Sequence, residues 1–484
     1  MKHLKMAIFG ILGVCVLYIL AFGRKPGADL PKDRVIVRYW EKWTNKEQSQ
    51  MQGIVDDFNN TVGKEKGIYV QYLSTSAINQ KTLVATAAGV PPDVAGLWDA
   101  QVPQYAATDA LEPLTAMAAS KGITEKYYKP VYWSGCSYNG VLYGMVSTPA
   151  SVALHYNKQL LKEKAPELKA AGLDPNRPPQ TIEEFDKYAD ILDEVKDGRL
   201  ARSGYLPMEP GWWLAHGQLW WGGNLFDAKN QKFTLDTPQV LEYYKWIEGY
   251  SKRLTKKAGS NAITDFRSGV GGFDSPNNPF MTGKLAMVQQ GPWMANYIEN
   301  LKPALNRALP GTKAEKEKFK KEEMSWPIEK RRANYTWGVA PFPSAEKGKT
   351  NVGFCPFDVL VIPRGAKNKK EAFEFIAYVN SQPAMEKLNM LHCKNSPLAK
   401  VSENFAKKHP NPYIQVFEDL ASSPNAGPVP SIPIYPEVVS ELDNAAQRVY
   451  LLQTTPEVAI REAQNRLQAR LDDFNKIQAA RLPQ

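Results

Sequence analysis

The chain has 484 residues, 43% of them apolar and 23% charged, which is too long for a single hydrophobic core and predicts two or three domains of ordinary globular composition. Its net charge of +10 is dispersed; even the segment Lys313–Arg332 mixes eight Lys/Arg with five Glu. No basic stripe interleaved with aromatics is present, which argues against a nucleic-acid-binding face. The four cysteines, at 15, 136, 355 and 393, are too scattered for a zinc site; of the last three either one pair bridges or all are buried thiols, the latter being the reading favoured.

At the N-terminus, Lys2, His3 and Lys5 precede the uncharged run Met6–Gly23, and Arg24-Lys25 follow. This pattern predicts an export signal or a membrane anchor over residues 1–27, and places the rest of the chain outside the cytoplasm. Val35–Trp40 is a β-branched and aromatic run that predicts a strand, and Lys46–Asn60 carries Met51, Ile54, Val55 and Phe58 at helical spacing. A second strand (68–73), a second helix (80–88) and a third strand leading to Trp98-Asp99 follow. Such alternation predicts parallel pairing with right-handed crossovers, and ligands at the carboxyl ends of the strands. Those ends carry Trp40, Glu41 and Trp43 on the first strand and Trp98 and Asp99 on the third.

Asn139-Gly140 predicts a hairpin, and a strand over 151–156 follows. Thr181 is placed to cap a helix over 182–193. The most aromatic loop is Glu209-Pro210-Gly211-Trp212-Trp213; Trp220, Trp221 and Trp337 read as core. A helix spans 236–254, and the Gly-rich segment 261–279, lacking the spacing of a phosphate loop, reads as flexible. Residues 302–334 form a charged surface insert. The tail carries helices over 438–452 and 456–475, the second capped by Thr455 with Pro456 behind it.

Residues 281–297 bear most directly on function. A short apolar strand (Leu285–Val288) runs into Gln289-Gln290, Gly291-Pro292 stop it, and Trp293 opens a helix. An indole fixed at a strand-to-helix corner either stacks on a flat apolar face, such as a sugar ring, or plugs the core.

Several segments, in order, resemble one family: Pro91-Pro92-Asp93-Val94 with Ala110–Leu114, Tyr138–Gly144 with Leu154–Lys158, Pro178–Phe185, Met281–Trp293, Tyr335–Pro343, and Thr455–Ala459 with Ala463-Gln464. From about residue 35 to 475 the chain resembles the extracellular solute-binding proteins of ABC importers, in particular the oligosaccharide-binding group that includes maltose-binding protein. The resemblance implies an α/β periplasmic-binding-protein-like fold (type II), with two lobes joined by hinge strands. Lobe 1 would comprise residues 28–147 and 342–388, and lobe 2 residues 148–341 and 389–484.

The resemblance also implies a sugar bound between the lobes, a membrane permease as partner, a monomer, and no catalysis, cofactor or metal. Carried over residue by residue, it points to Trp98 and Asp99, Glu209 with Trp212 or Trp213, and Trp293. Trp40, Glu41 and Trp43 fill a loop that often meets ligand. Phe354, Phe357 and Asp358, Ser147 and Thr148, and Tyr435 are further candidates; the aromatic expected at the start of the closing helices falls near Val439 instead. Three other readings stay open: a polyamine or other non-sugar solute on the same fold, a membrane-tethered sensor ectodomain, and a glycoside-active enzyme using two of Glu41, Asp99 and Glu209.

Overall fold

A computed structural model describes residues 30–306 and 312–480; the leader or anchor expected over 1–27 lies outside the described residues. Among the described residues no helix is long and apolar enough to cross a membrane.

Eight strands build the two principal sheets: β1 (Val35–Glu41), β2 (Ile68–Ser74), β3 (Val94–Trp98), β4 (Gly144–Pro149), β5 (Ala153–Asn157), β6 (Met287–Gln290), β7 (Trp337–Ala340) and β8 (Phe357–Val361). The larger sheet has the order β2-β1-β3-β8-β4. β1 pairs parallel with β2 and β3, as the strand–helix alternation predicts. β8 returns from late in the chain and pairs antiparallel with β3 and β4. Helix α1 (Asn45–Asn60) buries Met51, Ile54, Val55 and Phe58, the spacing of one helical face. The smaller sheet, β6-β5-β7, is antiparallel throughout.

Buried apolar side chains gather in two clusters. One is built around Val37, Phe58, Leu97, Val359 and Phe375, the other around Leu154, Phe185, Trp220, Ile247, Met287 and Leu442. The chain passes from the first to the second between Val146 and Val152, returns between Phe354 and Cys355, and crosses again after Leu388, with Cys393, Phe405, Phe417 and Leu442 in the second. Phe342, expected at the start of the return, instead packs on Phe185 and Trp220 in the second cluster.

Trp220 and Trp337 are fully buried, as predicted. Trp221 is half-buried, packed on Tyr243 and Trp246 at the edge of the same core. Asn139 and Gly140 both have positive φ, 49° and 76°, the backbone that an Asn-Gly hairpin turn requires. The Gly-rich segment differs from expectation. It contains the helix Ala262–Ser268, because Ala262, Ile263 and Phe266 find a place in the second core. The charged insert carries two helices, Lys313–Glu323 behind a Thr312/Glu315 capping box and Ile328–Asn334. Cys136, Cys355 and Cys393 are buried free thiols.

Candidate functional site

A cavity of about 600 Å³ lies between the two clusters and takes its lining from both. Sheet topology explains the first wall. The parallel strands β1 and β3 present their carboxyl ends there, and antiparallel β8 presents its start, so Lys42 and Trp43, Trp98, and Phe357-Asp358 share one edge. The register pairs Asp358 with Trp98 on one side and with Thr148 on the other.

The second wall is aromatic. β6 ends at Gln290, Gly291-Pro292 follow, and Trp293 caps helix α3 (Met294–Leu301), as the sequence predicts. Gly291 is required here: a Cβ at this position would stand 2.3 Å from the Trp293 ring, which folds back over the backbone. Trp213 stands 6.2 Å from Trp293 between ring centroids and donates its indole N–H to the Gln289 carbonyl at 3.1 Å. Trp212 packs on Phe273 at 4.8 Å, and Phe273 on Tyr297 at 4.5 Å. Trp98 and Trp212 remain 45% and 44% exposed although they are large apolar rings. Indoles left uncovered on facing walls of one cavity make it the candidate binding surface.

The floor is charged. Lys42 Nζ lies 2.9 Å from Asp358 Oδ1, and Lys394 Nζ lies 2.8 Å from Asp358 Oδ2. Thr148 donates to Asp358 Oδ2 and accepts from Lys394 at 2.7 Å. Burial works to raise the Asp358 carboxyl, but Lys394 and Lys42 outweigh it and hold the group well below the ordinary carboxylate range. Lys42 also reaches Glu41 at 3.1 Å and the Leu97 carbonyl at 3.2 Å, so its three N–H groups are engaged. Its ammonium lies 5.0 Å from the Trp98 ring centroid, and that of Lys394 lies 5.5 Å from Trp293. Half-buried Glu47 also lines the cavity; burial raises its carboxyl and Lys394 opposes the rise.

Of the residues singled out in the sequence, Trp43, Trp98, Thr148, Trp212, Trp213, Trp293, Phe357 and Asp358 line the cavity. Glu41 and Asp99 lie beneath it. Glu41 is fully buried and accepts from the Tyr39 hydroxyl at 2.7 Å and the Lys42 amide at 2.7 Å. A Cβ on Gly96 would stand 1.8 Å from its carboxylate, so only glycine leaves it room. Asp99 accepts from the amides of Ala100 at 2.9 Å and Phe357 at 3.2 Å. Trp40, Glu209 and Tyr435 do not reach the cavity lining. Trp40 alternates away from Tyr39 and Glu41 and packs at the border of the first core. Glu209 is half-buried elsewhere, its carboxyl raised by burial against the pull of Arg267. Tyr435 opens helix α4 (Tyr435–Tyr450) three residues earlier than expected, and bonds His216 Nε2 at 2.6 Å inside the second core.

Sequence reasoning missed Lys42, Glu47, Phe273, Tyr297 and Lys394. Lys42 and Glu47 flank residues already singled out, and Tyr297 is one helical turn beyond Trp293, so proximity could have found them. Nothing local marks Lys394, and Phe273 fell in the segment read as flexible.

Asp99 gives a test of this floor. Burial pushes its carboxyl up to about 8, against the two amides that bond it. A carboxyl whose folded pKa exceeds its unfolded value of about 3.9 stabilises the fold most below that value, and the contribution is lost as pH rises through the folded pKa. The expected result is a decline in urea stability from about pH 4 to about pH 8, which Asp99→Asn flattens. A variant with the wild-type pH slope contradicts this assignment.

Comparison with known proteins identifies the family. Residues 53–397 match the family described as bacterial extracellular solute-binding protein. The chain belongs to that family. This solute-binding protein is 24% identical over 286 residues to the sn-glycerol-3-phosphate-binding periplasmic protein UgpB of Pectobacterium atrosepticum, covering 57% of this chain and 58% of that one. It is 19% identical over 307 residues to a maltotriose-binding protein of Pyrococcus abyssi, covering 63% of this chain and 54% of that one. The match thus spans little more than half the length of these curated relatives.

Among solved structures, the solute-binding protein superposes on CpMnBP1 with mannobiose bound at a TM-score of 0.69 and 25% identity, covering 89% of this chain and 99% of that one. It superposes on the sugar-binding protein MalE of Xanthomonas citri at 0.69 and 20% identity, covering 92% and 99%. The fold is therefore that of the maltose-binding-protein-like periplasmic binding proteins.

Proposed function

We propose that this solute-binding protein captures a sugar or oligosaccharide in the cleft and delivers it to the permease of an ABC importer, on the outer side of the cytoplasmic membrane. The observation that carries the reading is the set of aromatic rings from both walls around one cavity: Trp43 and Trp98 from one side, Trp212, Trp213 and Trp293 from the other. Flat apolar faces stack on sugar C–H faces, and charged groups on the floor bond hydroxyls. Mannobiose in CpMnBP1 and the naming of a maltotriose-binding relative support a glycan of a few units. The two clusters serve as lobes, with the crossings near 147–151, 354–355 and 389–392 acting as hinges, and the protein works as a monomer. Residues 1–27 direct export or anchor the chain.

Binding without catalysis fits the carboxylates. Asp358 is tied to two lysines, and Glu41 and Asp99 are buried in hydrogen bonds below the cavity. A polyamine fits poorly, because Lys42 and Lys394 would repel a polycation. A phosphorylated polyol is the second reading. Ser76, Ala77 and Ile78, at the start of helix α2 (Ile78–Ala87), line the same cavity as Lys394, whose two bonds to Thr148 and Asp358 leave one N–H to donate.

The test is thermal unfolding against mannobiose, mannotriose, maltotriose, sn-glycerol 3-phosphate and spermidine. A ligand that binds only the folded state stabilises it by about 2.7 kcal/mol at a hundredfold excess over Kd. A rise in Tm with a glycan supports the first reading, and a rise with glycerol phosphate alone supports the second. A rise with spermidine alone, or with nothing, overturns both.

A further inference from the structure

Helices α1 and α3 belong to opposite cores, and both begin at the cavity: Trp43, Thr44 and Glu47 lead into one, Trp293 and Tyr297 into the other. Beyond these residues a side-chain contact joins the two helices directly. Lys46, on the first turn of α1, donates from Nζ to the Asn296 amide oxygen at 2.9 Å and to the Asn300 amide oxygen at 3.0 Å. Asn296 and Asn300 are four apart on α3, so their amides stand on one face of the helix. Asn300 Nδ2 donates to Asn296 Oδ1 at 3.2 Å, which turns both carbonyls toward the ammonium. Asn296 is 5% exposed and fixed, whereas Lys46 and Asn300 lie at the surface.

We propose that Lys46 is a latch: its ammonium, seated between the Asn296 and Asn300 carbonyls, holds the two lobes closed over the cavity and thereby slows the escape of a bound solute. The geometry suits this role better than a structural one. The bonds join two independently packed cores and leave each core's own packing untouched. A hydrogen bond to a charged donor is about twice as strong as a neutral one, and this one exists only while the lobes are together. An interaction present only in one of two states shifts the balance between them by its own strength. The proposal rests on the reading that the cleft is the solute site.

The experiment uses the full chain and Lys46→Met. Single-molecule energy transfer between dyes on the two lobes, without ligand, reads the ratio of closed to open molecules. That ratio is expected to fall about tenfold in the variant, the effect of one such bond pair. With mannotriose as probe, the dissociation rate followed by tryptophan fluorescence is expected to rise about tenfold, while the association rate changes far less, since the latch forms after encounter. Lys46→Arg, which can still donate to both amides, is expected to restore most of the effect, and Asn300→Ala to weaken the latch from the other lobe. A closed-to-open ratio equal to wild type in Lys46→Met overturns the proposal. Failure of mannotriose to bind either protein would instead strike the saccharide reading, and the energy-transfer ratio would still decide the latch.

Discussion

Trp293→Ala is expected to weaken glycan binding by ~2–3 kcal/mol, roughly 30- to 150-fold in Kd, as truncation of a central aromatic anchor does. The ring sits at a corner that three features make rigid: strand β6 ends before it, Pro292 fixes the backbone entering the helix, and Gly291 lets the indole fold back against the chain. Trp213 supports it from one side, and the Lys394 ammonium lies 5.5 Å from its centroid. A ring held by its surroundings loses little entropy on binding, so most of its contact energy appears as affinity. Trp293→Phe, which keeps a flat face of smaller area, should fall between the two. Calorimetric titration with the glycan that raises Tm reads the effect. An alanine variant with wild-type affinity and lowered Tm would show that the ring is core packing and no more.

Asp358→Asn is expected to cost about 3–5 kcal/mol of stability, the usual penalty for breaking a buried ion pair from one side. The side chains of Asp358, Lys42 and Lys394 are only 7–8% exposed, and Asp358 is the carboxylate that both ammonium groups share. Without it Lys42 keeps Glu41, but Lys394 keeps no carboxylate, its remaining hydrogen bond being to Thr148. Urea denaturation near neutral pH measures the loss. The pH dependence gives a second signature. Because the Asp358 carboxyl is held below its ordinary value, its stabilisation is fully present above the unfolded carboxylate pKa of about 3.9 and fades as pH falls below it. Wild type should therefore lose stability on acidification more steeply than the Asn variant below about pH 4. This trend is opposite in sign to that of Asp99, so the two carboxyls are separable on one protein. Glycan affinity should fall with Asp358→Asn as well, since both lysines face the cavity.

Local chemistry made much of this molecule legible in the sequence. The β1–α1–β2–α2–β3 alternation, the Asn-Gly hairpin, the Thr455 cap accepting from the Val458 amide, and the strand-to-Trp293 corner each depend on residues within a few positions of one another. Strand ends in a parallel sheet share one edge by geometry, so Trp43 and Trp98 could be placed at a ligand site without coordinates. Other features were decided only by tertiary structure. Antiparallel β8 brings Asp358 to that edge from 260 residues beyond β3's Trp98 in sequence position 98, and Lys394 reaches it from a stretch with no motif of its own. Tyr435 reads like a site aromatic, but helix α4 turns it into the second core; Glu209 reads like a site acid, but its loop leaves it off the cavity. Which carboxylate meets water and which is locked, as Asp358, Glu41 and Asp99 are, depends on neighbours far away in the chain. Sequence spacing carries short-range backbone preference and periodicity, whereas burial and charge pairing are properties of the space the folded chain encloses.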